Sequence, residues 1–328
     1  MTGAFTPVDH APVLFAALVL DALIGDPDAV WRRIPHPVVL MGRMVDRFER
    51  AWNRPALAEV ERRILGTLAI LILVAAAAGA GWALAAAAAY LPGGTLIEVA
   101  CVAALLAQKD LYRHVAGVAR ALETDGLEAA RGSVAHIVGR TPASLDEAAV
   151  SRAAVESLAE NFSDAVVAPV FWYLVLGLPG IVACKMINTA DSMIGHRSDR
   201  FRAFGGAAAR LDDFANLVPA RLSAALLSLA APGVAGASWR SGVLAAWRDA
   251  ARHRSINAGW PEAAMAGALG FRLAGPRSYD GVRIDDAWMG DGRAGLGAPD
   301  IRHALALYTG ACALLAAGVL LLATVSIV

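Results

Sequence analysis

The sequence predicts an all-α, polytopic integral membrane protein with a helical cytoplasmic-face body and re-entrant hairpins. Three observations carry that prediction. Apolar residues make up 57% of the 328 residues before Gly is counted, where a soluble domain holds roughly 45–50% with Gly included. Two runs, 64–90 and 304–328, carry no charged side chain, and about 20 apolar residues suffice to cross a bilayer. The polar segments between them show helical periodicity, with no alternation long enough for a sheet.

The elements follow in order. Residues 11–24, which carry Asp21, and 95–107, which carry Glu98, are each expected to form a span or a deep half-span. Residues 64–90 and 304–328 are expected to cross fully. Two further apolar stretches are broken: 165–184 by Gly177-Leu178-Pro179-Gly180, and 222–238 by Ala231-Pro232-Gly233. Pro and Gly disfavour a continuous helix, so each suits a re-entrant hairpin. Helices are expected over Gln108–Thr124 and Leu127–Val138. A third opens at Ser144 as N-cap, with Glu147 three residues on, and runs to about Asn161. No internal repeat is evident, and 1–328 is expected to form a single membrane-embedded domain.

Charge orients the chain. Lys plus Arg and Asp plus Glu both number 29, for zero net charge, which excludes a basic nucleic-acid binder; the apolar content excludes a disordered chain. No Lys or Arg occurs in 1–31, 64–108 or 303–328. Positive residues stay cytoplasmic, so the N-terminus, the Leu91–Gly94 turn and the C-terminus are expected outside, with 26–63 and the polar middle inside. The N-terminus lacks a basic leader, so no cleaved signal peptide is expected. Cys101, Cys184 and Cys312 lie far apart in apolar runs and offer neither a disulfide framework nor metal-ligand spacing.

Five constellations bear chemistry. Glu156, Glu160 and Asp164 recur at four-residue spacing, which places them on one helical face. The row suits either a solvated face or a Mg²⁺ or substrate-ammonium site, and its position at an apolar boundary favours the site. Asn188 and Asp191 lie three apart, with Lys185, Arg197 and Arg200 nearby. Oxygen donors of this kind suit phosphate-bound Mg²⁺ and the cations suit phosphate oxygens, while capping chemistry explains the same residues equally well. Asp212, Asp213 and Asn216, flanked by Arg210 and Arg221, form an Asp-Asp-x-x-Asn arrangement suited to Mg²⁺–phosphate or to an ion-pair network. Asp26 and the His36 held between prolines form a turn after the first span, with the imidazole expected to face outward. Trp260 suits an interfacial anchor, and Asn257 and Tyr279 suit contact with a bulky ligand. Gly290-x-Gly292-x-x-Gly295 follows no strand and opens no helix, so it fails as a dinucleotide fingerprint. No Walker A motif is present, so any ATP site is of another kind.

Taken together, several blocks resemble the CobD/CbiB family. They are Gly25-Asp26-Pro27 with Pro35-His36-Pro37, Gly139-Arg140, and Arg152, Glu156, Glu160-Asn161, Asp164 and Pro169. Asn188-Thr189, Asp191-Ser192-Met193 and Gly195 continue the likeness, followed by Arg210-Leu211-Asp212-Asp213, Asn216 and Pro219-Ala220-Arg221, and by Asn257-Ala258-Gly259-Trp260-Pro261. The likeness spans nearly the whole chain. It implies an adenosylcobinamide-phosphate synthase of cobalamin biosynthesis, an ATP-dependent ligase in the cytoplasmic membrane with its site facing the cytoplasm. Such an enzyme joins (R)-1-amino-2-propanol, or its O-phosphate, to a propionate of adenosylcobyric acid. Mg²⁺, ATP as co-substrate, the lipid bilayer and later membrane enzymes of cobalamin assembly are the implied cofactor and partners; nucleic acid is not.

On that likeness Asp191, Asp212 and Asp213 would hold Mg²⁺ with Asn188 and Asn216. Glu156 and Glu160 would orient or deprotonate the amine, with Asp164 and Lys185 beside them in the chemistry. Arg210 and Arg221 would bind phosphate, and Asp26, His36, Asn161 and Asn257 would contact substrate. The base and metal roles are exchangeable at this level. A Mg²⁺-dependent membrane transferase acting on a prenyl or alcohol phosphate shares the Asn-x-x-Asp and Asp-Asp-x-x-Asn features. A transporter would instead carry its acids mid-span. The orientation has a direct check: a phosphatase that is active only outside the cytoplasm gives activity when fused after Gly93 and none when fused after Arg54, and the reverse pattern refutes it.

Overall fold

The computed structural model describes residues 7–137, 145–279 and 282–325. In chain order the helices are α1 (Pro7–Ile24), α2 (Asp28–Trp31), α3 (Pro37–Trp52), α4 (Glu59–Tyr90), α5 (Gly94–Ala103), α6 (Gln108–Thr124) and α7 (Leu127–Ala135). They continue as α8 (Glu147–Asn161), α9 (Ala168–Ile194), α10 (Gly206–Ala215), α11 (Leu217–Ala230), α12 (Trp239–Asp249), α13 (Gly259–Leu269) and α14 (Ala298–Val325). A π-helical turn, Phe162–Val167, follows α8. Four strands of two or three residues, β1 (Leu273–Ala274), β2 (Arg277–Tyr279), β3 (Val282–Ile284) and β4 (Trp288–Met289), form two antiparallel pairs, β1 with β4 and β2 with β3. The fold is all-α in substance.

Three stretches among the described residues, Glu59–Tyr90, Glu147–Ile194 and Ala298–Val325, are long and apolar enough to cross a membrane; a fourth is added if 206–215 and 217–233 count as one. Of the two readings expected at 95–107, span or deep half-span, α5 has the length of the second: its ten residues rise about 15 Å, half a bilayer core. The third helix of the polar middle starts later than expected: its N-cap is Asp146, whose Oδ1 accepts the Ala149 N–H at 2.7 Å. The expected cap Ser144 and the expected stop at Gly139 lie outside the described residues. In the 222–238 stretch the break falls where expected: α11 ends in a 3₁₀ turn over Ala231–Gly233 and the chain resumes at Trp239 as α12, packed on α11.

The chain divides into two compact units, one of residues 1–107, 168–216 and 319–328, the other of 108–167 and 217–318. In the first, α4 packs along α9 through a row of mostly small residues, Gly66, Ala69, Leu73, Ala77 and Gly81, all buried. Such rows let backbones approach closely, which drives helix association in lipid. A Cβ at Gly81 would collide with the backbone of Leu178 and Pro179, and one at Gly66 with the Phe204 carbonyl.

Helix α9 has a corner. Gly177 takes φ 65° and ψ −151°, a region open only to Gly. A Cβ on Gly180 would fall on the Trp172 carbonyl oxygen, eight residues back, where a straight helix holds a separation of about 12 Å. The break expected in 165–184 is therefore a sharp turn of the chain.

The segment after α9 is pinned by a carboxylate. Glu49 continues the buried Met41–Val45 stripe of α3. It accepts Nε and a terminal nitrogen of Arg200 at 2.9 and 2.6 Å, and Asn53 Nδ2 at 2.8 Å. Asn53 Nδ2 also donates to the Arg200 carbonyl at 3.0 Å, and Arg62 Nε donates to Asn53 Oδ1 at 2.7 Å. This bidentate pair fixes the 195–205 loop against α3 and α4.

The second unit is organised around one apolar core that includes Val115, Val155, Phe162, Leu227, Met265, Ile301 and Tyr308. The Tyr308 hydroxyl donates to the Gln108 carbonyl at 2.8 Å, and its ring meets Phe162 edge-on at 5.5 Å. Buried Asp249 accepts Arg248, Arg252 and the Gly290 N–H at 3.0 Å. A Cβ at Gly292 would strike the Gly270 carbonyl. Contrary to the expectation that no strand precedes it, the Gly-rich run follows directly on β4; it opens no helix before Ala298 and serves close backbone packing.

The Arg200 fork holds Glu49 below the usual glutamate value of 4.5. The folded carboxylate has the depressed value, so its stabilisation is complete above that ordinary value and is lost as pH falls below it. Glu49→Ala is expected to cost about 1–3 kcal/mol, because Arg200 keeps solvent access after losing its partner. Thermal unfolding in detergent at neutral pH and at low pH measures both, and the variant's deficit shrinks under acid.

Candidate functional site

In the first unit, α9 and α10 pack together and bring two of the predicted groups to one place. Asp191, on the last turns of α9, lies close enough to Asp213 of α10 for the two charges to interact, with His196 bearing on Asp191 and Arg197 on Asp213. The Gly195 N–H caps the Asp191 carbonyl at 2.7 Å, and a Cβ at Gly195 would fall on Asp191 Oδ1, so only a glycine fits beside this carboxylate. Asn188 is half-buried one turn before Asp191, and Lys185 is buried one turn before that.

Asn216 closes α10 as its C-cap and is 3% exposed. Its Nδ2 donates to the Asp212 carbonyl at 3.2 Å and to Asp212 Oδ2 at 3.0 Å. Its Oδ1 is buried without a hydrogen-bond partner among the described residues, an uncommon and costly state for an amide oxygen. Among the described residues no three His, Cys, Asp or Glu side chains are grouped to hold a metal ion. Arg210 sits exposed on α10.

The Gly25–Pro37 turn belongs to the same unit, whose α3 reaches α9 where Gly42 meets Met193 and Thr189. The sequence predicts His36 facing outward; instead the ring is half-buried and turned back. Its Nδ1 accepts the Val38 N–H at 3.2 Å and so caps α3. A nitrogen that accepts carries no proton, so in the neutral ring the proton sits on Nε2. Nε2 faces Asp26 Oδ2 at 3.5 Å. Asp26 Oδ1 accepts the indole N–H of Trp31 at 3.1 Å, and Trp31 meets the imidazole at 4.5 Å between ring centres. Asp26, Trp31 and His36 thus form one interlocked group. Trp31 carries no signal in the sequence beyond being an aromatic inside a Pro-bounded turn.

In the second unit the row Glu156, Glu160, Asp164 does not share one environment. Glu156 is 8% exposed, and its Oε1 accepts the Ala274 N–H at 2.8 Å, holding a non-glycine residue at φ 56°. Glu160 is exposed. Asp164 is half-buried inside the π-helical turn, which resets the four-residue register. Asn161 folds back on Ser157, donating to its carbonyl at 2.9 Å and its hydroxyl at 3.2 Å.

Arg221 on α11 donates to Asn257 Oδ1 at 2.8 Å and to the Leu217 carbonyl at 2.9 Å, with its guanidinium 4.9 Å over the Trp260 ring. Among the described residues no carboxylate pairs with it. A cation so positioned and uncompensated suits an anion such as phosphate. Nearby, His253 Nε2 lies 3.6 Å from buried Glu262.

The model of the CobD/CbiB protein family matches residues 14–308. A cobalamin biosynthesis protein CobD from Sinorhizobium sp is 51% identical over 316 residues, covering 95% of this chain and 98% of that protein. Its counterpart from Brucella suis is 48% identical over 301 residues, 90% of this chain and 91% of the other. That from Rhodobacter capsulatus is 43% identical over 309 residues, with 93% and 95% covered. No solved structure matches the chain significantly. Matched along nearly its full length by both the family model and these relatives, the chain belongs to the CobD/CbiB family.

Proposed function

We propose that the chain works in cobalamin biosynthesis as a synthase that joins (R)-1-amino-2-propanol, or its O-phosphate, to a propionate carboxylate of adenosylcobyric acid. The observation that carries the reading is family membership over nearly the whole chain, and the oxygen-rich group at Asp191, Asp212, Asp213 and Asn216 supports it. A carboxylate is a poor acyl donor. In the proposed sequence, the γ-phosphoryl of ATP passes to a propionate oxygen and ADP leaves. The amine nitrogen then attacks the acyl phosphate carbonyl, inorganic phosphate departs, and the proton from nitrogen passes to a carboxylate base.

The donor set fits Mg²⁺. That ion takes oxygen ligands, commonly one or two carboxylates with substrate phosphates and retained waters, so a site lacking a third clustered acid is no obstacle. Asp191 and Asp213, with the orphaned Asn216 Oδ1, are the residues that would hold it, with Asn188 and Asp212 beside them. When bound it would supply positive charge to phosphate oxygens. Arg221, oriented by Asn257 and Trp260, and exposed Arg210 would bind phosphate. Asp26 and His36 would contact substrate, as the family likeness implies. Lys185, Glu156, Glu160, Asn161 and Asp164 remain assigned by the family likeness: Lys185 and Asp164 to the chemistry, the two glutamates to the amine, and Asn161 to substrate contact. The reading places the protein in the cytoplasmic membrane, crossing it several times, with this group facing the cytoplasm beside later enzymes of the assembly.

The test is purified full-length protein in detergent given adenosylcobyric acid, aminopropanol phosphate and Mg-ATP, with the corrinoid followed by mass. The expected product gains the amine less one water; an unchanged corrinoid, or turnover of a prenyl phosphate instead, refutes the reading. Asp191→Asn and Asp213→Asn are expected to lower turnover by about 100-fold or more. Arg221→Ala is expected to raise KM for the phosphorylated amine more than for the free amine. Full ligation by Glu160→Gln removes Glu160 from the role of base.

A further inference from the structure

The first unit contains a second polar site, built where α9 turns its corner. A cavity of about 690 Å³ opens there, lined by Asp9, His10, Trp82, Glu98, Tyr173 and Gly177 and by the alanine face of α4. Its size lies in the range of small-molecule sites. The corner of α9 is some thirteen residues along the helix from Asp191, about 20 Å, so this cavity is separate from the group assigned above to the reaction.

Its chemistry is one-sided. Two carboxylates, Asp9 and Glu98, line it, and no Lys or Arg does. The chain segments that build it, 7–24, 64–103 and 168–184, contain no Lys or Arg at all. The fully buried Tyr173 donates its hydroxyl to Glu98 Oε1 at 2.6 Å, leaving Oε2 as an acceptor. The imidazole of His10 packs against the Tyr173 ring at 5.5 Å between centres. It also lies against Gly177, where a Cβ would run into it. The corner that only glycine can form is thus also what admits His10 to the wall. Trp82 adds an indole at the mouth, 67% exposed.

A carboxylate oriented by a phenol, with a second carboxylate beside it, flanked by aromatic rings and walled by alanine, forms a receptor for a compact cation with an apolar body. We propose that this cavity binds a primary ammonium group, its N–H donors directed at Glu98 and Asp9 and its carbon body against the α4 alanines and Trp82. A free amine and an ethanolamine lipid headgroup present the same group.

Titration of the full chain in a non-ionic detergent with isobutylammonium, followed by calorimetry, tests this with no corrinoid present. It reads binding alone, so its outcome is independent of the ligation assay. Saturable binding of isobutylammonium is expected, with isobutanol at least about tenfold weaker. Glu98→Gln is expected to weaken the amine about tenfold or more. Trp82→Leu, at an exposed ring that folding tolerates, is expected to weaken it about threefold and serves alone if Glu98→Gln does not fold. Added phosphatidylethanolamine that competes, where phosphatidylglycerol does not, identifies the headgroup as the source; binding without such competition identifies a free amine. Equal binding of isobutanol, absence of saturable binding, or unchanged affinity in a folded Glu98→Gln or Trp82→Leu protein overturns the proposal.

Discussion

Close approach between α4 and the α9 region is the constraint on which the first unit depends. Gly81 and Gly66 stand fifteen residues apart on α4, one beneath the Leu178–Pro179 backbone, the other beneath the Phe204 carbonyl. In lipid, apolar side chains gain little by leaving their surroundings, so association rests on contact area and on backbones brought near. A methyl group at either position would force the partners apart. One contact seats the corner of α9 and with it the Tyr173–Glu98 cavity; the other seats the loop that leads from Asp191 into α10.

Buried carboxylates then do the local positioning. Glu49 holds Arg200 and the loop after α9. Asp249 gathers Arg248, Arg252 and the Gly290 N–H. Glu156 holds Ala274 at a backbone angle that alanine otherwise avoids. Each is satisfied by several donors, which makes burial of a charge tolerable. By contrast, the Asp191–Asp213 pair brings like charges together, and Asn216 leaves an amide oxygen without a donor.

Periodicity and composition made the long elements legible. The uncharged run within α4, the bounds of α6 and the break in 165–184 could be read directly, because hydropathy and the Gly-Leu-Pro-Gly sequence act over neighbouring residues. The Asn-x-x-Asp and Asp-Asp-x-x-Asn clusters were legible as residue types, and α9 and α10 join them. What depended on distant chain was hidden. Glu156 and Glu160 look alike at four-residue spacing, yet a strand 118 residues later buries one of them. Asp146 took the cap in place of Ser144, a choice between two good capping residues two positions apart. The Glu49 clamp had a local signal, a carboxylate occupying the next position of the Met41–Val45 stripe, but Arg200 could be paired with it only once the loop was in place.

The double engagement of His36 limits what can replace it. One ring nitrogen is consumed by the backbone at the start of α3, so only the other reaches toward Asp26. Asparagine reproduces the cap, with its oxygen close to the position of Nδ1, but is too short to reach Asp26. Glutamine extends toward Asp26 but cannot cap in the same rotamer. One ring nitrogen is engaged by the backbone and the other, Nε2, is shielded from solvent, so only histidine joins the two demands within one rigid ring.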